Sequence, residues 1–306
     1  MADSDARLDW LLDADPSIRW QVMRGLTDTS PGDIAKERAR VATEGWGTRL
    51  LGLQSGDGNW GGGAYSPKWI STTYTLLLLR HLGIDPGDER VRAATDRVQE
   101  KIRVGRADHP FFEYIGETCI SGMVLALNSY FREAEGARIE WLLENQKTDG
   151  GWNCATGSTR SSFNTTISVL EGLLEYERAV DGDRNVSEAR DRAHDYLLER
   201  QLMYRLSDGE LINKRWLLLS FPPRWFYDVL RALEYLADAR TEPDERCAEA
   251  IEVVRSKQRK DGTWPLQGRH PGKEHFVMEP SGKPSRWNTL RAIRVLDWYG
   301  GEPNRA

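Results

Sequence analysis

Apolar positions recur at three- and four-residue spacing along almost the whole chain, in two kinds of segment that alternate. One kind carries charge on most of its faces: residues 6–13, 33–53, 88–104, 137–145, 187–202 and 244–257. The other is apolar nearly all round: residues 16–26, 66–79, 116–131, 161–176, 222–236 and 283–299. A half-solvated outer helix needs the first pattern and a buried inner helix the second. Six outer and inner pairs predict an all-α (α/α)6 toroid, a single domain over residues 1–306 with no internal boundary.

The pairs are punctuated by a repeated phrase, Gln-x-x-Asp-Gly-x-Trp. It occurs as Gln54, Asp57, Gly58, Trp60; as Gln146, Asp149, Gly150, Trp152; and as Gln258, Asp261, Gly262, Trp264. Asp-Gly is turn chemistry, because glycine accepts positive φ and the carboxylate can take backbone N–H groups. The indole supplies an apolar body with one N–H to satisfy. These residues read as staples between helices before they read as ligand contacts. A second heading, Pro or Ser-Pro followed by a basic residue and Trp, opens four of the apolar segments and matches helix-start chemistry. The two connections 203–221 and 265–283 are too long for simple turns, and long loops in compact domains tend to carry function. Both fall where inner helices begin, so the site is expected at that end.

Composition narrows the class. With 42 Lys and Arg against 47 Asp and Glu, interspersed, the net charge is −5 and there is no basic tail, so nucleic acid is not an expected partner. Cys119, Cys154 and Cys247 form no CxxC pair and no disulfide framework. The acidic start lacks a signal-peptide pattern, and the apolar runs are too short for a transmembrane segment. A cytoplasmic protein is expected.

The Gln-x-x-Asp-Gly-x-Trp copies resemble the QW repeats of squalene and terpene cyclases and of the related protein prenyltransferase β subunits, an α/α toroid superfamily. The resemblance implies an isoprenoid or similarly apolar small molecule held in the lumen, with acid-assisted chemistry. The Asp-rich acid motif of those cyclases has no counterpart: Asp13-Ala14-Asp15-Pro16 and Asp181-Gly182-Asp183-Arg184 lack the last acid. Prenyltransferases hold zinc with Asp-x-Cys and a His; here Glu117-x-Cys119 is similar, and Asp228 stands where the family can have His. The resemblance therefore implies Zn only through Glu117, Cys119 and Asp228; otherwise no cofactor is expected.

Aligning the inner helices places Arg24, Arg231 and Arg291 at one position, with Gln21, Asp228 and Asn288 three residues earlier on the same face. This polar face in an apolar layer is expected to look into the lumen. Arginines can grip a diphosphate or carboxylate, and Trp20, Trp69, Trp225 and Trp287 can wall an apolar chain or a cationic centre. Asp228 and Glu117 are the expected acids; Asp228 can equally pair with Arg224 or Arg231. Tyr74, Tyr227, His109 and His275 complete the candidate contacts. Two further readings stay open: a carbohydrate-active (α/α)6 glycosidase or lyase, whose two acids would face each other across the cavity, and a binding or scaffold protein without catalysis.

Overall fold

A computed structural model describes residues 2–133, 136–155 and 157–301; the extreme ends of the expected 1–306 span lie outside them. The fold is all-α, with two minimal antiparallel ribbons: β1 (Arg103–Val104) with β2 (His109–Pro110), and β3 (Trp264–Pro265) with β4 (Pro284–Ser285). The apolar segments form α2 (Pro16–Leu26), α5 (Thr72–His81), α7 (Thr118–Phe131), α9 (Phe163–Val180), α11 (Val229–Asp238) and α13 (Arg286–Gly300). The charged segments form α1 (Ala2–Leu12), α3 (Pro31–Ala39), α4 (Gly45–Leu51), α6 (Glu89–Lys101), α8 (Gly136–Glu144), α10 (Arg184–Leu198) and α12 (Ala248–Ser256). Burial sorts them as their patterns require: α5 is buried from Thr72 to Leu79, whereas α3 buries no residue.

The repeated phrase builds one joint three times. The indole N–H groups of Trp60, Trp152 and Trp264 each donate at 2.7 Å to a carbonyl of the preceding outer helix, those of Leu50, Leu142 and Val254. The backbone N–H of each Trp donates to a hydroxyl of the next inner helix, Thr72, Thr166 or Thr289. All three rings are buried, and truncating such a ring costs about 3–5 kcal/mol. Gly58 and Gly150 take φ of +87° and +91°, and a Cβ there would collide with the carbonyls of Arg97 and Arg192 on the neighbouring outer helix. Gln54 and Gln146 bridge to that same helix, through the carbonyls of Ala94 on α6 and Ala189 on α10. In the third copy the neighbour is α1, whose Arg7 donates to the carbonyl of Gly262. The staple reading of the phrase thus has a specific geometry.

Further contacts bring the last helix to the first two. Helix α13 packs on α2, Arg294 donates to the backbone and side-chain oxygens of Gln21, and Arg286 donates to the carbonyl of Trp10.

Two expectations about helix boundaries are corrected. Residues 33–53 are not one helix: the chain breaks at Gly45, with φ +62°, and packs Gly47 on the Val41 carbonyl, while Asp15 takes the Trp46 N–H. The Trp headings also differ among themselves. Trp20 and Trp287 lie inside α2 and α13, but Trp69 and Trp225 lie in the loops before α5 and α11. At 222–228 Pro222 and Pro223 withhold N–H donors, and the helix starts only after Asp228, whose carboxylate caps it by accepting from Arg231 N–H.

Candidate functional site

The main hollow is at the opposite end from the one expected. A cavity of about 820 Å³ is lined mostly by the later turns of the inner helices, with Trp20 and Arg24 of α2, Arg80 and His81 of α5, Tyr130 of α7, Glu171 and Glu175 of α9, Glu234 of α11 and Arg294 of α13, and by Arg231 from the first turn of α11. Its size suits a small molecule. Its rim, with Arg24, Arg178, Asp238 and Arg240, is exposed to solvent. The leading ends of the inner helices are largely filled by rings that pack on one another, beside a small hollow of about 20 Å³ that Phe221, Arg224, His275 and Met278 help to line.

The wall is ionic. Eight arginines and six carboxylates line it, with Leu174 and Ala239 as its aliphatic contribution. At its floor Arg231 grips Glu171 through two hydrogen bonds of 2.7 and 2.8 Å, and Arg80 holds Glu175 at 2.6 and 2.9 Å. Burial works against the Glu171 carboxylate, but the Arg231 charge and hydrogen bonds outweigh it and hold the pKa down at about 2. His81 sits among these groups; burial, then the Arg80 charge, lowers it to about 3, so it is neutral at pH 7.

Five of the eight arginines, Arg24, Arg38, Arg178, Arg240 and Arg294, are in no ion pair among the described residues, whereas Arg80, Arg190 and Arg231 are paired. Arg24, Arg38 and Arg294 lie together around Trp20 and Gln21. Arg38 donates to the Gly83 carbonyl and the Tyr130 hydroxyl, Arg294 to Gln21, and Arg24 to no acceptor among the described residues. Arg24 and Arg38 lie 4.8 and 5.2 Å from the ring centre of Trp20. Burial, then the Arg294 charge, lowers the Arg24 pKa to about 10. Arg294 and Arg38 repel Arg24 while Asp238 attracts it, and Asp238 and Glu234 attract Arg294; positive charge stays in excess at this patch, which an anion would relieve.

At the leading ends a second cluster forms. Trp69 meets Tyr74, Phe226 and His270 through ring contacts of 4.7 to 6.2 Å, and Trp225 meets Phe226 at 5.4 Å. The Tyr74 hydroxyl donates to that of Tyr65, and burial raises the pKa of both phenols. Lys68 lies over Tyr65, Trp69 and Trp225. Beside them Glu117, Cys119 and Cys154 bring a carboxylate and two sulfurs within 4.8 Å of one another. Two sulfurs and an oxygen form a donor set that suits zinc, but the third member is Cys154; Asp228 is not part of the group.

The other sequence candidates are spread out. Asp228 is 3% exposed, and burial, opposed by the Arg291 charge, raises its pKa; it caps α11 and is not on the cavity wall. Arg291 sits behind the wall, bound to Glu234 and the Ser220 carbonyl. Tyr227 points into the core between α9 and α11, bonding the Leu202 carbonyl, and Asn288 ties the Leu219 and Pro265 carbonyls. Trp287 stacks on Phe221 at 4.3 Å. His109 is exposed on β2, and His275 bonds the Thr75 hydroxyl. Of the aligned face, therefore, Gln21, Arg24 and Arg231 reach the cavity together with Trp20, while Glu117, Trp69, Tyr74 and Trp225 gather at the closed end. Sequence reasoning missed Arg38, Arg80, Glu171, Glu175 and Arg294. The available signal was charge recurring near the ends of apolar helices, as in the Arg80-His81 step after four leucines.

No protein-family model matches the chain, and no curated protein matches it. Solved structures of the type II terpene cyclase MstE from Scytonema are similar to it: the apo form at 16% identity and a TM-score of 0.46, over 96% of each chain. A complex of that protein with geranylgeranyl dihydroxybenzoate is similar at 15% identity and a TM-score of 0.45, over 96% of this chain and 95% of the other.

Proposed function

We propose that the six hairpins close into one (α/α)6 toroid and that its lumen binds a small molecule through an anionic head group; the sequence resemblance implies an isoprenoid or similarly apolar molecule, and the arginines narrow this to one that carries a diphosphate or carboxylate. The observation that carries this is the patch of Arg24, Arg38 and Arg294, cations on the cavity wall without ion-pair partners among the described residues. Closure is supported by the third turn reaching α1 through Arg7 and Gly262 and by α13 lying on α2. The head group would seat between the three guanidiniums, and the rings of Trp20, Tyr130 and Tyr235 would flank what is attached to it. Few aliphatic groups line the wall, so charge rather than chain length should govern affinity.

A carbohydrate reading keeps one point in its favour, because a polar wall with many carboxylates also suits an acidic sugar. Calorimetry separates the readings with inorganic diphosphate, farnesyl diphosphate, farnesol and a galacturonate oligomer as ligands. Binding of both diphosphates with none of farnesol is the expected result, and affinity should fall as salt rises. Preference for farnesol would overturn the anionic head group; preference for the galacturonate would replace the ligand class.

A further inference from the structure

The thiol cluster at the leading ends lies apart from the cavity and has a chemistry of its own. Cys154 follows the turn that carries Trp152, and its sulfur is placed at the first turn of two inner helices. It accepts the backbone N–H of Cys119 on α7 at 3.2 Å and the hydroxyl of Thr165 on α9 at 3.3 Å. The Cys119 and Cys154 sulfurs lie within 4.8 Å of each other. Donors converging on one sulfur favour its thiolate, as does the positive end of a helix. Cys154 is half-exposed, whereas Cys119 is buried.

The same atoms could be considered for a metal, but the carboxylate is poorly held. Among the described residues no side chain or backbone group bonds the Glu117 carboxylate, which is exposed, and metal-binding carboxylates are normally fixed by such partners. The two sulfurs, by contrast, are already brought within 4.8 Å of each other by the packing of the Trp152 turn on α7. We infer that Cys154 and Cys119 form a redox-active dithiol that reacts with small hydroperoxides, Cys154 as the attacking thiolate and Cys119 as the thiol that resolves it.

The Cys154 thiolate attacks the terminal peroxide oxygen, the O–O bond breaks, and after protonation an alcohol (water, from hydrogen peroxide) leaves with Cys154 as a sulfenic acid. Cys119 then attacks the Cys154 sulfur, the S–O bond breaks, and water leaves as the disulfide forms. The pair loses two electrons and the peroxide gains them. The Cys119 proton joins the displaced hydroxyl in that water, and a reducing thiol later reopens the disulfide and restores both cysteines. Cys247 is buried elsewhere, in the core about α12, and takes no part.

The test uses the full chain with equimolar hydrogen peroxide, followed by alkylation under denaturing conditions and peptide mass spectrometry. The expected product is a single Cys119–Cys154 cross-link with Cys247 fully alkylated. C119S should instead trap Cys154 as a dimedone-reactive sulfenic acid. T165V, which keeps the fold's other contacts, should slow alkylation at pH 7 by about fivefold. An unmodified pair after peroxide would overturn the inference. So would stoichiometric zinc in the purified protein that blocks oxidation of both thiols. Because the wild-type arms need no substitution, they decide the matter even if a variant fails to fold.

Discussion

The two ends of the inner helices carry opposite chemistry on the same six rods. At the trailing ends arginines collect: Arg24, Arg80 and Arg178 each fall in the last turn of α2, α5 and α9. At the leading ends stand hydroxyls, thiols and indoles, with Thr72, Thr118 and Thr289 in first turns or close to them. Helix polarity accounts for the sorting. The free carbonyls and partial negative charge of a C-terminus favour cations, and the free N–H groups of an N-terminus favour anions or hydroxyl acceptors. Parallel inner helices add these tendencies at each end, so one end becomes a basic cavity and the other a place where a thiolate is stable.

The largest test of this contrast is the cavity floor. Glu171→Gln leaves the Arg231 guanidinium, 3% exposed, without its counter-charge, and removing one partner of a buried ion pair costs about 3–5 kcal/mol. Urea unfolding should show that loss, and Glu171→Leu combined with Arg231→Met should recover most of it. A loss under about 1 kcal/mol for the single substitution would mean that water fills the floor and screens the pair.

How much of this the sequence disclosed follows from what each signal depends on. Helix pairs were legible because burial imposes periodicity on every residue of a rod, and the three Trp turns because each repeats one local set of bonds. The position of the site was not legible. Aligning Arg24, Arg231 and Arg291 identified a shared helical face, yet the helices begin at different points of their segments: Arg231 is the third residue of α11, whereas Arg24 is near the end of α2. Arg291 therefore meets Glu234 behind the wall while its sequence equivalents face the cavity. Cys154 was overlooked for a related reason, since its partners Cys119 and Thr165 come from two other segments and only packing brings them together.

A pH titration probes the same floor with a smaller effect. His81 titrates in the unfolded chain near 6.5 and in the folded protein near 3, so the unfolded state binds the extra proton. Its contribution is complete above pH 6.5 and is lost progressively as pH falls towards 3. His194, near 3, and His270, near 4, have the same sign. Thermal unfolding at pH 5 and pH 7.5 should show His81→Gln narrowing the wild-type difference by about 1–2 kcal/mol, allowing for solvent in the cavity. An unchanged difference would place the effect on the other histidines.

The rim should respond in binding and not in stability. Arg24 is in no ion pair among the described residues, so Arg24→Gln should leave unfolding within about 0.5 kcal/mol of wild type. Affinity for inorganic diphosphate should fall about tenfold, the equivalent of about 1.4 kcal/mol, and its salt dependence should become shallower. Equal losses from Arg24→Gln and from a substitution of exposed Arg184 on α10 would reduce the patch to a diffuse field.

The smallest effect belongs to the closed end, where the comparison can be made sharp. The Lys68 ammonium lies 5.5 to 5.8 Å from the ring centres of Tyr65, Trp69 and Trp225, and a cation over rings at an exposed position is worth about 0.5–1 kcal/mol. Lys68→Met keeps the length of the side chain and removes the charge. It should therefore cost no more than that in urea unfolding and should leave diphosphate affinity as it was, because the ammonium stands at the end of the helices that the cavity does not reach. A drop in diphosphate affinity matching that of Arg24→Gln would show that the two ends share one ligand and that the lumen is continuous between them.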